Sequence, residues 1–67
     1  MALSLNAMEK LLRKAGAQRV AEDAKEALAQ LLEQKALGIG RQATVLAGHA
    51  GRRTVTAKDI TLGGSHV

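Results

Sequence analysis

The sequence predicts an all-α protein of three helices, short, long and short, and three observations predict it. Apolar residues recur at helical spacing through most of the chain. There is no proline to interrupt a helix, and with Phe, Tyr, Trp and Cys all absent the core must come from Ala, Leu, Val, Ile and Met. Glycine supplies the breaks, at Gly16, at Gly38 and Gly40, and at Gly48, Gly51, Gly63 and Gly64.

Leu5, Met8, Leu11 and Leu12 define the first helix, of about three turns, with Ser4 or Asn6 as its cap. Ala15-Gly16-Ala17 ends it. Gln18-Arg19-Val20 then reads as an extended connector, and the acids Glu22 and Asp23 suit the positive end of a second helix.

From Ala21 to about Ala50, the residues Ala24, Leu28, Leu31, Leu32, Ile39, Ala43, Leu46 and Ala50 hold one stripe when wound at about 100° per residue. The phase survives Gly38 and Gly40, so the spacing predicts one long helix, each glycine costing it about 1 kcal/mol relative to alanine. Such a helix is roughly 40 Å long, whereas a compact globule of this size is roughly 28 Å across. Its stripe therefore needs a second chain, and the expected solution is a symmetric crossing of the same helix from an identical subunit. Leu28, Leu31, Leu32, Ile39, Ala43 and Leu46 are the expected dimer core. The rival is a hairpin broken at Gly38-Ile39-Gly40, which would let a monomer close on itself.

Gly51 caps the long helix, Arg52-Arg53-Thr54-Val55 runs extended, and Thr56-Ala57-Lys58-Asp59 fits a capping box that starts a third helix. Gly63-Gly64 is expected to stop that helix after Ile60 and Leu62, leaving 63–67 as a frayed end.

With 67 residues the chain is one domain, 1–67, and domains this small bury only about 60% of the surface their unfolded chain exposes. Disulfides are impossible, and His49 and His66 alone cannot build a structural zinc site, which leaves association as the source of stability. A net charge of +4 points to a polyanionic partner, though composition does not choose nucleic acid over an anionic membrane. The bases fall in three stations: Lys10, Arg13 and Lys14; Arg19; and Arg52, Arg53 and Lys58. No apolar run approaches the roughly 20 residues of a membrane span, and no signal-type segment opens the chain, so a soluble, intracellular protein is expected. Catalysis is not expected: Ser4 and Ser65 lie near opposite ends, and no His and carboxylate pair stands beside a nucleophile or in a metal-ligand pattern. Neither a cofactor nor a metal is implied, Gly38-Ile39-Gly40 being too short for a phosphate-binding loop.

The order short helix, loop, long helix, loop, short helix resembles the histone fold, and the sequence resembles the archaeal histone family in particular. Ala15-Gly16-Ala17-Gln18-Arg19-Val20, His49-Ala50-Gly51-Arg52-Arg53-Thr54 and Ala57-Lys58-Asp59-Ile60 carry the likeness, which covers almost the whole chain. Arg52-x-Thr54 followed by Asp59 is its most specific part. The resemblance implies an intertwined head-to-tail dimer in which the first loop of one chain lies beside the second loop of the other. It further implies that Arg19 enters the minor groove, that Thr54 of the partner holds it and meets a phosphate, that Arg53 binds phosphate, and that Lys10, Arg13 and Lys14 form a central DNA contact. Guanidinium groups in an inward-facing minor groove need no base code. Arg52 and Asp59 resemble the family's internal salt bridge, and Leu46, His49 and Asp59 its contact between stacked dimers.

Each residue also has a plainer reading. Arg19 is then a solvated loop residue, Asp59 only a helix cap for which the Arg52 bridge competes, His49 a cation at a helix C-terminus, and Arg13 or Lys14 a cover for the apolar stem of its helix. Departures from the family pattern are Lys35 in the middle of the apolar stripe, the three glycines of the long helix, Ala21 in place of a capping hydroxyl, and a third helix without a basic last turn.

The function expected is non-enzymatic, largely sequence-independent binding and compaction of double-stranded DNA, by homodimers or dimers with a related histone chain that stack into larger assemblies. Such a protein belongs in the cytoplasm, on the nucleoid, with no membrane partner. The alternative is a histone-fold module that binds another protein, its bases merely solubilising; the salt dependence of DNA affinity separates the two.

Overall fold

The computed structural model describes residues 3–65 and forms three helices: α1 (Leu5–Lys14), α2 (Glu22–His49) and α3 (Ala57–Gly64). Ser4 caps α1, its hydroxyl accepting from the Ala7 amide at 3.2 Å. α2 is continuous over 28 residues, about 42 Å at 1.5 Å per residue. Gly38 and Gly40 lie inside it, which sets the hairpin aside. Packing divides the chain into two units, Met1–Gln34 and Lys35–Val67.

Within Met1–Gln34 the buried apolar residues are Met8 of α1 and Ala29 of α2. Within Lys35–Val67 they are Ala43 and Ala47 of α2, under α3. Small residues do this work because the helices approach closely. At Gly63 a Cβ atom would stand 3.0 Å from the Ile39 carbonyl oxygen and 3.2 Å from the Ala43 nitrogen. Gly63 is therefore buried inside α3 and does not stop it; the helix runs through Gly64 and ends at Ser65, whose amide and hydroxyl both donate to the Leu62 carbonyl. Of the frayed end expected over 63–67, residues 63–65 belong to the helix and its cap, and 66 and 67 lie outside the described residues.

No large apolar side chain is fully buried among the described residues. Leu31 is 64% exposed and Val45 52%, while Leu11, Leu37, Val55, Ile60 and Leu62 are also open. Ala43 is 0% exposed within its own chain. It belongs to the intrachain core beneath Gly63. Leu28, Leu32, Ile39 and Leu46 are half-buried and Leu31 is open. No helix among the described residues is long and apolar enough to cross a membrane.

Candidate nucleic-acid interface

Both basic loops begin with the same local device. After α1, Gly16 adopts φ 113°, so that the Ala17 amide donates to Leu12 O and the Gly16 amide to Arg13 O, each at 3.0 Å. After α2, Gly51 adopts φ 73°, and Arg52 N reaches Ala47 O at 2.9 Å while Gly51 N reaches Gly48 O at 3.0 Å. A side chain at either position would be strained, and this paired bonding satisfies helix carbonyls that would otherwise be orphaned. The chain leaves each helix at a fixed angle, and Arg19 and Arg53 follow within three residues of the turn glycine.

Arg52 organises the second loop. Its Nη1 and Nη2 donate to Asp59 Oδ2 and Oδ1 at 2.9 and 3.0 Å, and Nη1 also donates to the Thr54 carbonyl at 2.8 Å. The Thr56 amide donates to Oδ2 at 2.8 Å and its hydroxyl at 3.0 Å, while that hydroxyl accepts from the Asp59 amide. Cap and bridge thus coexist, three bonds on Oδ2 and one on Oδ1. Asp59 is only 4% exposed. The Arg52 guanidinium, with the Thr56 bonds, holds its carboxyl well below the usual carboxylate range, and the carboxylate in turn raises Arg52.

Lys10, Arg13 and Lys14 on α1, Arg19 on the first loop, and Arg53 and Thr54 on the second are all exposed. Among the described residues Lys10, Lys14, Arg19 and Arg53 make no ion pair. His49 ends α2 exposed, Leu46 is half-buried one turn earlier, and no hydrogen bond joins His49 to Asp59 among the described residues. No three His, Asp or Glu side chains among the described residues gather closely enough to hold a metal ion.

A family model described as histone-like transcription factor (CBF/NF-Y) and archaeal histone matches residues 1–63. The chain belongs to that family. It is 52% identical over 60 residues, 90% of each chain, to one of the subunits of archaeal histone HAN1 from Thermococcus zilligii. Over 51 residues, 76% of each chain, it is 49% identical to probable archaeal histone 3 of Methanocaldococcus jannaschii. The three helices with a long centre are the histone fold, and membership implies a non-enzymatic protein whose general partners are DNA and another histone-fold chain.

In this histone, sequence reasoning passed over two residues beside the first loop, Glu9 and Lys25. Glu9 pairs with Arg13 at 3.0 Å and with Lys25 at 2.7 Å, and Lys25 also pairs with Glu22 at 2.9 Å. The bonds to Lys25 and Arg13 lower the Glu9 carboxyl, and those to Glu9 and Glu22 raise Lys25. The 9/13 and 22/25 spacings were readable as helix pairs; the link between helices was not, because it depends on the loop's path.

Proposed function

We propose that the chain, as one histone-fold domain, pairs with itself or with a related histone chain and binds double-stranded DNA through the backbone and minor groove, largely without regard to sequence. The observation that carries this reading is the exposure of Arg19 and Arg53, unpaired on two glycine-turned loops, with Lys10 and Lys14 open on α1. Arg19 serves the minor groove; Arg53, Thr54 and the α1 bases serve phosphates; Arg52 and Asp59 brace the second loop. Pairing is supported by the open Leu31, Val45, Ile60 and Leu62, with Leu28, Leu32, Ile39 and Leu46 beside them on the apolar stripe. The relative from Thermococcus zilligii is named as one subunit of its histone, which supports a related histone as partner alongside self-pairing. Dimers stack through Leu46, His49 and Asp59, Oδ1 of which carries one bond within the chain, and the assemblies compact the chromosome.

DNA affinity measured across salt on random, A·T-rich and G·C-rich duplexes tests the reading. The slope of log affinity against log salt is expected to be steep, about 0.9 per neutralised phosphate, and similar for all three. Arg19→Ala is expected to weaken binding to every duplex, and Arg53→Ala to do so while flattening the slope by about one unit for each phosphate no longer neutralised. Lys35→Ala, away from the basic stations, is the control and should leave the slope alone. Nuclease digestion of reconstituted complexes should give a ladder of protected lengths, collapsing to a single-dimer footprint in His49→Asp. An affinity indifferent to salt would favour the protein-binding module.

A further inference from the structure

The first loop is held by a chain of charge that DNA contact does not itself require. Arg13 Nε donates to Glu9 Oε2 at 3.0 Å, and Arg13 Nη1 donates to the Gln18 backbone carbonyl at 3.0 Å. The other Glu9 oxygen receives Lys25 Nζ at 2.7 Å, and that ammonium also reaches Glu22 Oε1 at 2.9 Å. The end of α1, the loop and the first turn of α2 are tied together within one packing unit. The Gln18 carbonyl belongs to the peptide plane that contains the Arg19 amide. Holding that oxygen therefore fixes the plane from which Arg19 departs.

The second loop has the same construction. Arg52 grips a carboxylate, Asp59, with one part of its guanidinium and the Thr54 carbonyl, next to Arg53, with another. In both loops the arginine that grips a carboxylate and a loop carbonyl differs from the arginine left exposed and unpaired. Lys25 is the most enclosed member of the first network, its side chain 14% exposed, so the tie is anchored on α2 and is more than a solvated helix pair.

We propose that Arg13 is a positioning residue for Arg19, acting through Glu9 and the Gln18 carbonyl, and that the acid Glu9 is thereby required for full DNA affinity. This rests on the reading of Arg19 as a DNA contact. A loop fixed before binding loses less conformational freedom when it docks. The proposal has a sign that simple electrostatics lacks: removing an acid from a DNA-binding surface should strengthen binding to a polyanion, whereas releasing the brace weakens it.

The test is Glu9→Gln in the full chain, with affinity for a random-sequence duplex measured across salt and folding followed by circular-dichroism melting. The expected result is a loss of about five-fold, the size of one ion-pair network of this exposure, with the salt slope unchanged. In an Arg19→Ala background the same substitution should cost no further affinity, because the residue being positioned is gone. Arg13→Lys keeps the charge, and with it the phosphate contact of the α1 bases, but not the two-handed grip, and should lose affinity similarly, again at constant slope; were phosphate binding its only role, lysine would be tolerated. The proposal is overturned if Glu9→Gln binds as well as or better than wild type, or if its loss persists undiminished without Arg19. If Arg19→Ala itself binds like wild type, the reading beneath the proposal fails, and the proposal with it.

Discussion

Asp59 accepts bonds from Arg52 and Thr56 through both oxygens, so protonating it disturbs the helix cap and the loop brace together. Its folded pKa is depressed, which means that its contribution is complete above the unfolded value, about 3.9, and is lost as pH falls through the folded one. Glu9, lowered by Lys25 and Arg13, acts in the same direction. The melting temperature of wild type is therefore expected to fall below about pH 4. Asp59→Asn should be less stable at neutral pH and lose less on acidification, keeping the part that Glu9 supplies. Equal acid sensitivity in the two proteins would show that Asp59 does not carry the effect. Spacing made this residue legible, since Thr56 and Asp59 stand three apart at a helix start. The Arg13 contact with Gln18 was not legible, because φ at Gly16 decides where that carbonyl goes.

Among the elements, α3 departs most from its sequence reading, and Gly63 is the reason. Paired glycines read as a stop; in the structure the first of them permits a helix crossing that any Cβ would obstruct, its nearest obstacles being α2 backbone atoms at 3.0 and 3.2 Å. Helix backbone yields little, so Gly63→Ala is expected to destabilise by about 1–3 kcal/mol for overpacking, less up to about 1 kcal/mol of gained helix propensity. Gly64, with nothing within 4 Å of its absent Cβ, is the matched control: Gly64→Ala should be neutral or stabilise by up to about 1 kcal/mol. Denaturant midpoints of the two variants decide it, and a Gly63→Ala protein stabilised as much as Gly64→Ala would show that α3 does not sit so close. α2, in contrast, was readable end to end, because its stripe keeps phase through Gly38 and Gly40.

For the molecule as a whole, the small size of most buried apolar residues among the described ones is the informative feature. A core of Met8, Ala29, Ala43 and Ala47 leaves the larger apolar groups for something else to cover. The need for a partner was legible from helix length and composition. Which side of α2 packs internally was not, since alanines at 29, 43 and 47 give no stronger signal than their neighbours. Because a partner that binds the folded chain stabilises it by mass action, the melting temperature should rise with protein concentration. Sedimentation at micromolar concentration should find dimers, and Leu31→Glu should shift the population toward unfolded chains. A compact monomer whose melting ignores concentration would contradict this.

The open leucines and valines also determine how such a protein responds to cold. Apolar surface removed from water is the source of the heat-capacity change in folding and in association. Here Leu11, Leu31, Leu37, Val45, Ile60 and Leu62 stay open in the single chain, so a large share of that change is expected to accompany pairing. Calorimetry of dissociation should return a large part of the heat-capacity increment of unfolding. Because burial of apolar surface weakens on cooling, the pair is expected to loosen toward low temperature as well as high, and dilute solutions should show it first.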